Sequence, residues 1–322
     1  MLKYAIKRIL LLIPVLLGVI FLIYVCMNLS GVNYVDGHIT DDMTEEQVRA
    51  LREKYEVDKP LLQRYFTYVW KMLHGDMGKS FANDRDVWEY FWDRAPATLY
   101  LGVVAGVLTV VLAIPLGIIA ALKRGSLIDN ACNVLAVIGL ATPNFWLGLM
   151  LILLFSVKLK WLPVSGNDHW YSVILPAFTI GTGHMAGLMR ITRTTMLETL
   201  RSDYLRTARA KGVSEFKVIC RHALRVGMLP PARGALNLFI TALGGAALTE
   251  TVFNWPGEGR VLVEAVNKRD IPLACGFQVL KCAIVGILNA FAELLNVAID
   301  PRLRTMYVRD KKKQAAKQGG QK

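Results

Sequence analysis

Apolar residues fall in blocks along this chain, separated by polar stretches. The blocks run from about Ile9 to Leu29, Pro96 to Leu122, Asn130 to Val157, Val173 to Met189, Ala232 to Val252 and Phe277 to Ile299. A helix rises 1.5 Å per residue, so a block of about 20 residues crosses about 30 Å of hydrocarbon. The pattern predicts an all-α, polytopic membrane protein with six transmembrane helices. The first run resembles a signal peptide but is too long for one, so it is expected to remain as a span.

The polar segment between the first two blocks carries its own helical periodicity. Met43 to Tyr55 reads as a helix with Thr44 as its cap and Val48, Leu51, Arg52 and Tyr55 on one face. Pro60 opens a second helix, with Leu61, Tyr65, Tyr68, Val69 and Met72 as its apolar face. Four units follow: an N-terminal transmembrane helix (1–29), a folded extracytoplasmic segment (30–95), a core of five further helices (96–301) and a basic tail (302–322).

Arg201 to Pro231 is the most patterned of the polar stretches. Leu197, Leu200, Tyr204 and Ala208 fall at helical spacing, and Gly212 is suited to ending a helix in the left-handed region. Ser214 and Glu215 suggest the cap of a second short helix, on which Phe216, Ile219, Cys220 and Ala223 share a face. Two short amphipathic helices joined at a glycine between spans predict a docking element for a partner. A lipid-facing basic loop needs neither the glycine break nor an apolar face of this size.

Charge orients the spans. The net charge is +13, and 23 of the 38 Lys and Arg residues lie at the N-terminus, at Lys123–Arg124, between Arg190 and Arg233, or in the tail. The two short loops on the opposite side hold five. Positive residues concentrate on the cytoplasmic side, so both termini are expected inside. The basic balance then matches anionic lipid headgroups, and no reading motif points to nucleic acid. Cys26, Cys132, Cys220, Cys275 and Cys282 are scattered and odd in number, which fits neither a disulfide framework nor a zinc site. Gly102 with Gly106, and Gly183 with Gly187, have the spacing of close helix packing.

Catalytic chemistry is not evident. Gly75 to Ser80 reads GDMGKS, but Leu73 stands where a phosphate loop needs its first glycine, so a tight turn is expected. No HExxH, GxSxG or carboxylate pair at catalytic spacing occurs. Ionisable or polar residues inside spans are candidates to line a pathway: His184, Asn237, Thr241, Glu250 and Glu293. Lys281 and Glu293 are separated by about 18 Å of helix and form no direct pair. An intramembrane enzyme would need a Ser/His or paired-Asp constellation, and a passive channel would conduct without ATP.

Several stretches together resemble one family, the type I ABC-importer permeases of the oligopeptide, dipeptide and nickel group. They are KRILLLIPVLLGV (7–19), HGDMGKSF (74–81), FWLGLMLILLFSVKLKWLPVSG (145–166), ARAKG (208–212), HALR (222–225), ETVFNWPGEGR (250–260), NKRDIPL (267–273) and IDPRLR (299–304). The N-terminal span with its sizeable outer segment is similar to the first of the two permease subunits in such systems. The resemblance implies a bacterial cytoplasmic membrane protein that alternates between outward-open and inward-open states. It implies a second permease subunit forming a heterodimer, two cytoplasmic ATPase subunits that bind ATP and magnesium, and an extracytoplasmic solute-binding protein. This chain itself would bind no cofactor and hydrolyse nothing. Arg206 to Gly212 matches the family's EAA-type loop, with Arg206-Thr207-Ala208 in place of Glu-Ala-Ala. Leu224-Arg225 replaces a common Leu-Pro, with Leu229-Pro230 slightly later. The coupling candidates are therefore Tyr204, Arg206, Thr207, Ala208, Ala210, Lys211, Gly212, Ser214, Glu215 and Phe216. Lookalike permeases carry peptides, nickel or glutathione, and peptides are the expected solute.

Overall fold

A computed structural model describes residues 2–29, 33–37, 39, 43–244 and 247–299. The basic tail expected over 302–322 lies outside the described residues. Regular structure among the described residues is helical throughout, apart from one isolated bridge between Lys79 and Asp86.

The first four helices show how local sequence sets boundaries. Helix α1 spans Leu2–Leu29. Helix α2 spans Glu45–Lys54 and starts at Thr44, whose hydroxyl accepts the Gln47 N–H while the Gln47 side chain accepts the Thr44 N–H. This reciprocal cap satisfies two N-terminal donors. Helix α3 spans Leu61–Leu73, following Pro60. Helix α4, Val87–Leu122, begins nine residues before the expected boundary at Pro96, because Asp86 caps the N–H groups of Trp88 and Glu89. Its 36 residues extend about 54 Å, more than a hydrocarbon core requires.

The third expected span is broken. Helix α5 spans Leu127–Ala141 and α6 spans Asn144–Leu151, continuing as a π-helical turn over Ile152–Lys158. The two halves bend by 106°. Pro143 accounts for the break, because it forces the preceding Thr142 into extended backbone (φ −80°, ψ 123°). A 3₁₀ turn at Trp170–Val173 then leads into α7, Ile174–Leu200. Beyond it lie α8 (Asp203–Ala210), α9 (Glu215–Lys217), a π-helical turn (Val218–Ala223), α10 (Leu224–Gly227) and α11 (Leu229–Leu243). The remainder is α12 (Ala247–Val252), α13 (Glu258–Asn267) and α14 (Ile271–Ile299).

Four described segments are long and apolar enough to cross a membrane: Leu10–Leu29, Val87–Leu122, Trp170–Leu200 and Ile271–Leu295. Counted as one span, the bent α5–α6 pair makes a fifth. The remaining expected span, 232–252, is divided between α11 and α12. The 15 residues of α11 extend only about 22 Å, short of a full crossing by themselves.

Helices α4 and α7 pack along each other at the centre, flanked by α5 and α11, while α14 lies against α1, α11 and α13. At one end of this bundle a cluster of Ala121, Met196, Leu205, Val218 and Ala223 joins α4 and α7 to the segment after α7. The opposite end gathers α2, α3, the 76–86 loop, α13 and the loop around Trp255. There Ile20, Tyr24, Tyr68, Phe91 and Phe277 share a core.

Buried polar ties lock distant segments. Ser80 Oγ donates to Asp270 Oδ2 at 2.6 Å, and the Ala82 and Leu273 N–H groups donate to the same carboxylate. The expected tight turn at GDMGKS is thus pinned to the start of α14, with Gly75 and Gly78 at positive φ. Glu250 is fully buried, accepting from Thr98 Oγ1 at 2.9 Å and from the Arg260 N–H at 3.1 Å. Trp255 beside it donates its indole N–H to the Ala97 carbonyl. Arg193 grips Asp129 with two bonds of 2.6 and 2.7 Å, tying α7 to the start of α5. Of the two glycine pairs, a Cβ on Gly106 would stand 2.4 Å from the Phe239 ring, so α4 and α11 meet closely there. Outside its own helix a Cβ on Gly187 would meet nothing within 4 Å, and one on Gly183 only Asn144 Oδ1 at 3.9 Å.

A candidate coupling site

The corner after α7 is built from three local breaks in the helix pattern. Helix α7 stops at Leu200, where the Thr199 carbonyl accepts both the N–H and the hydroxyl of Ser202. Helix α8 then runs for eight residues and ends in a Schellman arrangement. The Gly212 N–H donates to Arg209 O at 2.9 Å and the Val213 N–H to Ala208 O at 3.3 Å. That geometry requires a left-handed residue, and Gly212 has φ +74°. A Cβ there would meet nothing within 4 Å, so backbone conformation alone selects glycine. Ser214 takes the expected extended cap conformation before α9, but its side chain makes no capping hydrogen bond.

Anchoring differs from the periodicity. Tyr204 and Ala208 were expected to extend the face of Leu197 and Leu200, and Phe216, Ile219, Cys220 and Ala223 to form the second apolar face. Ala223 is buried as expected and Ala208 packs on the same cluster, but the other fully buried anchors are Leu205 and Val218, against Met196 and Ala121. Tyr204 is 43% and Phe216 76% exposed, and Cys220 is exposed too. Two local changes of phase explain the correction. The turn at Arg201–Ser202 ends the α7 register before α8 begins. The π-helical turn then places Val218 and Ala223, five residues apart, on one side.

What remains outside is a polar and aromatic rim. Arg206, Thr207, Ala210, Lys211, Gly212, Ser214 and Glu215 are exposed, with Ala208 half-buried. Arg209, a residue outside the expected coupling set, clasps the two short helices together. Its Nε and a terminal nitrogen donate to the two Glu215 oxygens at 3.0 and 2.8 Å. These bonds hold the Glu215 carboxyl below its ordinary range and the Arg209 guanidinium above its own. An Arg beside a left-handed glycine, with Glu six residues on, is the signal that identifies such a clasp. Arg201, Arg206, Lys211, Lys217 and Arg221 are all exposed around it, which makes the rim basic.

The pathway candidates are dispersed. His184 is half-buried midway along α7, and Asn237 and Thr241 are exposed one turn apart on α11. Glu293 is half-buried on α14. Glu250 is spoken for by the Thr98 and Arg260 bonds at the opposite end of the bundle from α8. The structure does not bring these five side chains into one constellation. Among the described residues no group of three His, Cys, Asp or Glu side chains is placed to hold a metal.

Residues 113–305 match the model of the family described as binding-protein-dependent transport system inner membrane component. The chain belongs to that family. It is 37% identical to the dipeptide transport system permease protein DppB of Escherichia coli strain K12, over 94% of this chain and 99% of that one. It is 36% identical to the di/tripeptide transport system permease protein DppB of Pseudomonas aeruginosa, and 35% identical to the oligopeptide transport system permease protein AppB of Bacillus subtilis. Both cover the same shares. A solved structure of the inward-facing MetNI methionine ABC transporter aligns with a TM-score of 0.54 at 18% identity. It covers 65% of this chain and 95% of that chain, a likeness of fold. The chain is therefore a permease subunit of an ABC importer and not itself an enzyme.

Proposed function

We propose that this chain carries di- and oligopeptides across the bacterial cytoplasmic membrane, as one half of a heterodimeric permease driven by separate ATPases. The observation that carries the peptide assignment is the near-full-length identity to dipeptide, di/tripeptide and oligopeptide permeases. In this reading the α8 end of the bundle faces the cytoplasm and both termini lie inside. The excess of Lys and Arg on the segments at that end supports this orientation.

The corner α8–α9 is read as the contact with an ATPase subunit that binds ATP and magnesium. Its mechanics support that role. Leu205, Val218 and Ala223 plug the corner into the ends of α4 and α7, the two central helices. The Arg209–Glu215 clasp and the Gly212 turn keep its two arms at a fixed angle, so a push on the exposed rim is delivered to the bundle. Tyr204 and Phe216 supply apolar contact, and the surrounding cations suit an acidic rim. The Trp255 end then faces a solute-binding protein. The exposed Asn237–Thr241 strip of α11 is assigned to the pathway or the sister permease.

The test is uptake by vesicles holding this chain with its sister permease, ATPases and binding protein. Labelled dipeptide is expected to accumulate with ATP and not without it. Accumulation of nickel or glutathione in place of peptide would overturn the solute assignment.

A further inference from the structure

Helix α3 carries apolar residues outward as well as inward, where Tyr65, Val69 and Met72 pack on the core. Its inward side carries Arg64 and Tyr68, both buried. Its outward side carries Leu62, Phe66, Trp70 and Leu73, which are 57%, 63%, 67% and 66% exposed. At about 100° per residue these four fall within an arc of about 80°. The stripe is thus an unbroken apolar face, and the exposed polar residues of the helix, Gln63 and Lys71, lie outside that arc.

The depth of the helix identifies what covers that face. Tyr65 Oη donates to the carbonyl of Leu17 at 3.2 Å, and the Tyr65 ring packs edge-on against Phe21 at 5.5 Å. Leu17 and Phe21 lie inside the Leu10–Leu29 span, and Leu17 is about 18 Å of helix below Leu29. Phe66 packs edge-on against Tyr65, so the α3 stripe continues the flank of α1 on which Phe21 and Leu22 are exposed. At the polar edge Arg64 donates to Asn28 near the end of the span. We propose that α3 is an in-plane membrane helix, with Leu62, Phe66, Trp70 and Leu73 sunk among the acyl chains of one leaflet. Given the proposed orientation, that is the outer leaflet. The segment between α1 and α4 is then partly a lipid-embedded brace and not wholly an aqueous domain. A helix of this kind is held by the apolar area it buries in the interface.

Trp70 is the built-in probe. The chain, with the subunits that co-purify, is reconstituted in phosphatidylcholine vesicles with or without dibrominated acyl chains, as wild type and as Trp70→Phe. Seven tryptophans contribute, so the difference between the two proteins isolates Trp70. Its component is expected to be lost on contact with brominated lipid and unchanged by aqueous iodide. Quenching by iodide would mean that water covers the stripe, and resistance to both quenchers would mean that protein does; either overturns the proposal. Phe66→Trp in the Trp70→Phe background repeats the reading one turn away, should the first variant behave poorly.

Discussion

Leu205→Ala is expected to detach the corner from the bundle while leaving the bundle folded. Leu205 is fully buried among Met196, Ala121, Val218 and Ala223, and is the buried residue of α8. Truncating a buried leucine removes its transfer energy and leaves a cavity, at a cost of about 2.7–5.0 kcal/mol. Helix α8 has only eight residues, so most of that cost falls on its own attachment. At ~1.4 kcal/mol per decade, the docked state of α8 loses roughly a hundredfold to several thousandfold against the detached state. Hydrogen exchange of the 205–213 amides reads the detachment, and ATP-driven uptake reads its consequence. Exchange is expected to accelerate by a comparable factor and uptake to fall with it. Leu205→Met, which conserves volume, is expected to cost under about 1.5 kcal/mol and to keep both near wild type. If Leu205→Ala leaves exchange and uptake unchanged, the corner is not held by this contact and the mechanical reasoning fails.

Three further outcomes follow from the same geometry. Gly212→Asn is expected to retain uptake and Gly212→Val to lose it at equal membrane abundance. The left-handed backbone costs an ordinary residue about 1–2 kcal/mol, asparagine adopts it with less strain, and no neighbour obstructs either side chain. Arg193→Ala strands the Asp129 carboxylate, whose side chain is 3% exposed, and is expected to destabilise by about 3–5 kcal/mol, read as a lowered unfolding midpoint in detergent. Glu258 lies in α13 with its carboxyl pushed up to about 7 by burial and by Glu250, against the opposing pull of Lys281. The unfolded chain ionises it from its ordinary 4.5, so the folded state is penalised progressively from about pH 4.5 to 7 and constantly above. Glu258→Gln is expected to flatten that loss of stability and to raise stability at pH 8 by about 3 kcal/mol, measured as unfolding midpoints across pH.

Local signals were legible and registers across breaks were not. Thr44 announced a cap, whereas the 106° break at Pro143 interrupts a stretch whose apolar composition reads as one span. The cap depends on residues within one turn of each other. Periodicity carried through the turn at Arg201–Ser202 and through the π-helical turn at 218–223 misplaces Tyr204, Phe216 and Cys220, which are exposed. Each shifts the phase without any Gly or Pro to mark it. The apolar set Phe216 and Cys220 therefore looked like core when Val218 is the buried residue. Ties such as Ser80 to Asp270 join residues 190 positions apart, which no local pattern reveals. Both segments nevertheless stand out separately in the sequence, as HGDMGKSF and NKRDIPL. The two carboxylates and the buried threonine around Trp255 lie in the same position: ETVFNWPGEGR is visible as a motif, but its partner Thr98 is not.

Replacing Phe216 by a photoreactive benzoyl-phenylalanine tests the docking claim most directly, because that side chain is 76% exposed on the rim. After illumination of the intact importer in membranes, the chain is expected to be joined to an ATPase subunit, with less product from the same substitution at Trp70. Cross-linking only to lipid or to the sister permease from position 216 would contradict the corner's assignment as the ATPase contact.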